Sequence, residues 1–132
     1  MSDSPNLDKV RRYLKAIEDA DFTVIRDIFA PDASMVQFPN RIYPQGISVG
    51  VARMAEAFDK GRKLLSSQQY QIKNELVTGD SVAVEVLWIG RLAVAFGSLA
   101  VGSEMRAHSA MFFEFKDSKI ISQKNYDCFK PW

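Results

Sequence analysis

Asp127 is the side chain of this sequence most suited to moving a proton. It lies in Lys119–Trp132, KIISQKNYDCFKPW, an extended segment in which Tyr126, Cys128, Phe129 and Trp132 surround the carboxylate. A carboxylate in apolar company is costly unless it is paired, protonated or put to use. Such neighbours also raise its pKa and suit it to exchanging protons near neutral pH. The competing structural reading puts Asp127 at a rim, where it pairs with Arg or Lys or caps a turn. His108 is the single histidine and so the one side chain with an unperturbed pKa near neutrality. It belongs to the strand before that of Asp127, its neighbour in a meander, and an Asp-oriented imidazole is a competent general base. Strict alternation from Phe115 and Phe113 nevertheless puts His108 on the opposite face unless a bulge intervenes, which makes it an interface or surface histidine. Tyr13 is the third candidate. A phenol on an inward helix face has an apolar body and a hydroxyl able to donate into a water-poor pocket, or else it is a core tyrosine bonded to backbone.

Trp88, Phe38, Met35, Phe58, Met111 and Phe113 are the candidates to line a ligand pocket. Side chains of these types at these spacings also build ordinary cores, so only some of the six are expected to touch a ligand. Cys128 is the sole cysteine, which excludes an internal disulfide and a thiolate metal cluster. One histidine without a nearby carboxylate cluster speaks against any metal site. Ser81 and Ser109 sit in no nucleophile motif, and no Gly-rich phosphate loop is present. Glu85 and Arg106 are placed to pair across adjacent strands, with a salt bridge at a dimer interface as the plainer account of the two.

The elements that must position these groups follow from pattern. Ser4-Pro5 reads as an N-cap with proline in the first turn, after a flexible tail over residues 1–6. Val10, Tyr13, Leu14 and Ile17 then recur at i, i+3, i+4 and i+7, one apolar helix face. Asp21 caps a second, shorter helix with Phe22, Ile25, Ile28 and Phe29 inward, stopped at Ala30-Pro31. Residues 33–38 read as a short strand ending at Pro39, and Tyr43–Gly46 as a loop. Ser48 or Gly50 opens a third helix carrying Val51, Met54, Ala55 and Phe58, weakened near its end by Gly61. From about Gln68 the pattern is extended, with turns at Gly79-Asp80 and Asp117-Ser118 and a long connection over 91–102. Val82–Ile89 is apolar on both faces apart from Glu85, so both faces are expected to be covered. The helices can cover one; a second copy of the chain most simply covers the other. The expected fold is α+β, one domain over 1–132 with helices packed on a strongly curved antiparallel sheet.

Composition narrows the class of function. The 132 residues are 47% hydrophobic and 25% charged, with a net charge of +1, so the chain is globular and long enough for a real core. Arg11-Arg12 and Lys60–Lys63 are short clusters on helix faces, and no basic block supports nucleic-acid binding. No apolar run approaches the ~20 residues of a membrane span, and the residues after Met1 form no leader. A cytoplasmic protein is expected.

The order of elements, together with Arg12-Tyr13, Phe29–Ala33, Gly46, Val84–Trp88, Phe113–Ile120 and Tyr126-Asp127, resembles the nuclear-transport-factor-two-like superfamily, and within it the SnoaL-like, polyketide cyclase-like branch. The resemblance runs from about Leu7 to Trp132. It implies a cystatin-like α+β cone, a half-barrel roofed by three N-terminal helices around a largely apolar pocket. Such relatives work without a cofactor in isomerisation, polyketide ring closure, epoxide hydrolysis or dehydration, and some only bind. Tyr13 matches the oxyanion-hole tyrosine of ketosteroid isomerases, and Asp127 matches the last-strand acid of SnoaL-like cyclases. The isomerase general base falls on Phe38 and its second oxyanion donor near Met111, so a steroid-isomerase mechanism is not expected. The expected function is therefore binding of a small, mainly apolar organic molecule by a homodimer, with cofactor-free acid/base catalysis or, alternatively, with none.

Overall fold

Ser4 starts the first helix as its type suggests: its hydroxyl accepts from the Leu7 amide at 3.1 Å, and Pro5 occupies the first turn, where its missing N–H costs nothing. The computed structural model describes residues 4–132. Helix α1 spans Pro5–Glu18 and buries Leu7, Val10, Tyr13, Leu14 and Ile17 along one face. Ser4, Pro5 and Asn6 thus belong to this capped helix rather than to a tail; residues 1–3 lie outside the described residues. Helix α2, Phe22–Ile28, is capped by Asp21, whose carboxylate accepts from the Val24 amide.

Strand β1 runs Phe29–Gln37, beginning four residues before the expected 33 and taking in Pro31. Its pairing shifts between Phe29 and Ser34, the irregular stretch that accommodates the proline. A short strand β2, Ile47–Gly50, follows where loop and helix start were expected, and α3, Val51–Leu64, opens directly after it. The remaining strands are β3 (Leu65–Thr78), β4 (Ser81–Leu92), β5 (Glu104–Lys116) and β6 (Lys119–Phe129). The sheet order is β2-β1-β6-β5-β4-β3.

All neighbouring pairs are antiparallel except β1 and β6, so the sheet is mixed where sequence reading expected it wholly antiparallel. Asp117 and Ser118, at φ 51° and 65°, close the β5–β6 hairpin with two left-handed residues, the form that matches strand twist. Bulges in the β3–β4 pairing near Ser66 and Lys73 help bend the sheet.

Alternation is strict on β5. Met105, Ala107, Ser109, Met111, Phe113 and Phe115 are buried and face the helices, while the intervening residues are exposed apart from the half-buried Ala110. The core fills the concave side between this face and α1, with Phe29 and Phe113 both edge-on to Tyr13 at 5.1 and 5.9 Å. The convex side stays open within one chain. There Phe112 and Tyr126 are 49% and 45% exposed, and Phe38 stacks on Tyr126 at 4.6 Å. Glu85 opposes Ala110 in register, and Arg106 bonds Glu104 on its own strand at 2.6 Å, so the expected Glu85–Arg106 pair does not form. Among the described residues no helix is long and apolar enough to cross a membrane.

Candidate functional site

The helices do not fill the cone. Between α1, α3 and the concave face of β3–β6 lies a half-open cavity of about 170 Å³. Strand alternation decides what it meets. β5 presents Ala107, Ser109 and Met111, β6 presents Gln123, Asn125, Asp127 and Phe129, β4 presents Trp88, and β3 presents Gln68 and Tyr70. Tyr13 and Ile17 come from α1, Phe58 and Gly61 from α3, and Met35 and Gln37 from β1.

Among the described residues Asp127 is the only charged side chain in this lining. Burial pushes its pKa above the ordinary 3.8, and the hydroxyl of Ser109, directly opposite in the β5–β6 ladder, partly offsets the shift. Among the described residues no arginine or lysine pairs with it, so the rim reading in which Asp127 meets a cation does not describe them.

Deeper in, a polar chain crosses the hollow. Tyr13 donates to Gln123 Oε1 at 2.7 Å, and Gln123 Nε2 donates to Asn125 Oδ1 at 2.9 Å. Tyr13 and Gln123 are almost wholly buried, and burial holds the Tyr13 phenol far above its ordinary 10.0 and therefore neutral. Its hydroxyl is engaged by a side chain, neither by backbone nor by open cavity. The Asn125 amide nitrogen carries no such bond among the described residues and remains a donor toward the cavity.

Tyr70 was not anticipated. Its backbone amide donates to Glu18 at 2.7 Å, fixing β3 to α1, while its phenol enters the cavity with no hydrogen bond among the described residues. Desolvation chiefly, and then the fields of Tyr13, Asp127 and Glu18, keep that phenol protonated. Tyr70 pairs in register with Trp88, so the two side chains share a face; counted from the Gly79-Asp80 turn Tyr70 would meet Ile89, and the bulge near Lys73 brings Trp88 opposite it instead. Trp88 is held by its indole N–H donating to Gln68 at 2.9 Å and by Phe129, edge-on at 5.9 Å. Gly90 makes room for that indole, since a Cβ there would stand 2.5 Å from the ring.

Of the residues singled out from sequence, Asp127, Tyr13, Trp88, Met35, Phe58 and Met111 line the cavity and three do not. His108 is exposed on the convex face opposite Cys128, where unbroken alternation puts it, and cannot reach Asp127 from there. Phe38 also points outward, onto Tyr126, and its neighbour Gln37 faces in: Phe38 lies three positions after Met35, so alternation along the regular end of β1 cannot turn both inward. Phe113 is fully buried against Tyr13 and belongs to the core. Among the described residues no three His, Cys, Asp or Glu side chains gather as a metal site.

The three helices and curved, unclosed six-stranded sheet of the described residues form an α+β cone like that of solved structures with ketosteroid isomerase-like and nuclear-transport-factor-two-like folds. Within that class the sequence matches the SnoaL-like domain over residues 10–123, and the chain belongs to this family. No curated protein matches the sequence. Similar solved structures include IdmH of Streptomyces antibioticus, a candidate polyketide cyclase, with 16% identity over 92% of this chain and 91% of that one and a TM-score of 0.78. TerC, co-crystallised with polyporic acid, is 18% identical over 94% and 92%, TM-score 0.76. A protein of ketosteroid isomerase-like fold from Catenulispora acidiphila, in complex with trimethylamine, is 16% identical over 91% and 85%, TM-score 0.75. At these identities the likeness is one of fold.

Proposed function

We propose that this chain binds a small, mainly apolar organic molecule bearing a carbonyl or phenolic oxygen, and that Asp127 exchanges a proton with it without a cofactor. The observation that carries the reading is the lone carboxyl of Asp127 in a cavity whose other polar groups are neutral. That inventory accepts an uncharged oxygenated ligand and disfavours an anion. In the proton transfer, the Asp127 carboxylate takes hydrogen from the carbon beside a carbonyl, and the C–H electron pair moves to make an enolate. The enolate oxygen accepts from the Tyr70 hydroxyl and the Asn125 amide, donors that need little reorganisation. Returning the proton at another carbon isomerises the ligand; attack of the enolate carbon on a second carbonyl closes a ring. Tyr13 acts here through Gln123, holding Asn125 in orientation. The similar cyclase candidate accords with such ligands.

The test is deuterium uptake at the α-carbon of 2-tetralone, followed by NMR. The wild type is expected to accelerate exchange, and Asp127→Asn to lower it about 10²–10⁴-fold. Undiminished exchange in Asp127→Asn would make the acid/base assignment wrong.

A second reading, binding without turnover, is favoured by the aromatic walls around a carboxylate that has no cationic partner. That arrangement suits an organic ammonium held by charge and ring faces, and the Catenulispora relative contains trimethylamine. Tight binding of tetramethylammonium with no exchange of 2-tetralone would select it.

The functional unit we propose is a homodimer joined through the convex sheet face, where Phe38, Phe112 and Tyr126 form an exposed aromatic cluster. The expected location remains the cytoplasm.

A further inference from the structure

A second cavity, of about 180 Å³, lies between α1, α2 and α3. Ile17, Phe58 and Gln68 line both it and the cone, so one layer of side chains separates the two. Its remaining wall is mostly apolar, from Phe22, Ile25 and Ala55, with the Asp59–Arg62 ion pair, 2.8 Å, at one end. Two features make the partition movable. Helix α3 has one fully buried side chain, Met54, and no side chain caps its start. Phe58 itself is half-buried, its ring tilted against Phe22 at 5.9 Å.

We infer that the second cavity is a tail subsite, reached when Phe58 swings aside, and that the ligand is an elongated amphiphile. Its oxygenated ring occupies the cone, and an unbranched apolar tail crosses between the helices. The tail ends uncharged, since Asp59 and Arg62 already neutralise each other. This inference rests on the reading of the cone as the binding site, and the test separates the two.

Two probes serve, 2-naphthol and 6-hexyl-2-naphthol, with dissociation constants from isothermal titration calorimetry. Each methylene taken from water is worth about fourfold in affinity, so the hexyl probe is expected to bind the wild type at least tenfold more tightly. Ala55 lines the second cavity and not the cone. Ala55→Trp, or the milder Ala55→Leu if the first does not fold, should erase that advantage and leave 2-naphthol within about twofold. If 2-naphthol binds and the hexyl probe gains nothing, or keeps its gain in the Ala55 variant, the tail subsite is refuted while the cone stands. If only the hexyl probe binds and Ala55→Trp abolishes it, the cone reading fails and the second cavity remains. Binding of neither probe overturns both.

Discussion

Removing the Tyr13 hydroxyl is a sharp probe of the polar chain inside the cone. Tyr13→Phe keeps the ring, its edge-on contacts with Phe29 and Phe113, and nearly all the buried area. It takes away the donor that Gln123 Oε1 meets at 2.7 Å. Gln123 is only 2% exposed, so water cannot easily replace that donor. A buried acceptor left alone costs about 1–3 kcal/mol. For a chain of 132 residues each kcal/mol moves Tm by roughly 4 °C, so a fall of about 4–12 °C is expected. Thermal unfolding by circular dichroism measures it. The cycle with Gln123→Met apportions it: the double variant should be more stable than the two single losses added together, by about 1 kcal/mol or more. Freed from Gln123, Asn125 should also lose its orientation and weaken ligand binding. A drop in Tm below about 2 °C, or additive losses in the cycle, would refute a Tyr13–Gln123 bond of structural consequence.

Three further outcomes follow from individual groups. The folded chain retains the Asp127 proton to a higher pH than the unfolded chain, whose value is near 3.8; stability therefore falls as pH rises through that window, and the carboxylate remains unfavourable above it. Asp127→Asn should melt higher than wild type at pH 7, with the difference vanishing as pH falls toward 3.8; a difference independent of pH would contradict this. Gly90→Ala should force the Trp88 indole off Gln68 and into the cavity, shifting tryptophan fluorescence and weakening 2-naphthol at least tenfold, whereas unchanged fluorescence and affinity would show the ring has room. Phe112→Asp should sediment near 14.9 kDa and the wild type near twice that; a wild type found only near 14.9 kDa would remove the dimer.

Much of this molecule was legible in the chain because its signals are local. The cap at Ser4, the apolar stripe through Tyr13 and the two-residue turn at Asp117-Ser118 each follow from residue type at a fixed spacing. Alternation along β5 likewise put His108 outside. What escaped depended on pairing between distant segments. The parallel union of β1 with β6 is set by β6 rather than by β1 itself. Strand β2 is four residues long, too short to show a period. Gln123 and Asn125 carry no sequence signal of burial against Tyr13, although their spacing with Asp127 already puts all three on one face. Attention to apolar neighbours found Asp127 and passed over the amides and the Tyr70 phenol that share its cavity.

The most direct measurement is the 13Cγ resonance of Asp127, assigned through Asp127→Asn and followed with pH in the presence and absence of 2-naphthol. A carboxyl group enclosed in a ligand cavity should titrate above 3.8 and change its midpoint when the cavity is occupied. A midpoint at or below 3.8 that 2-naphthol leaves where it was would mean that Asp127 faces water and that the cone is not a binding site.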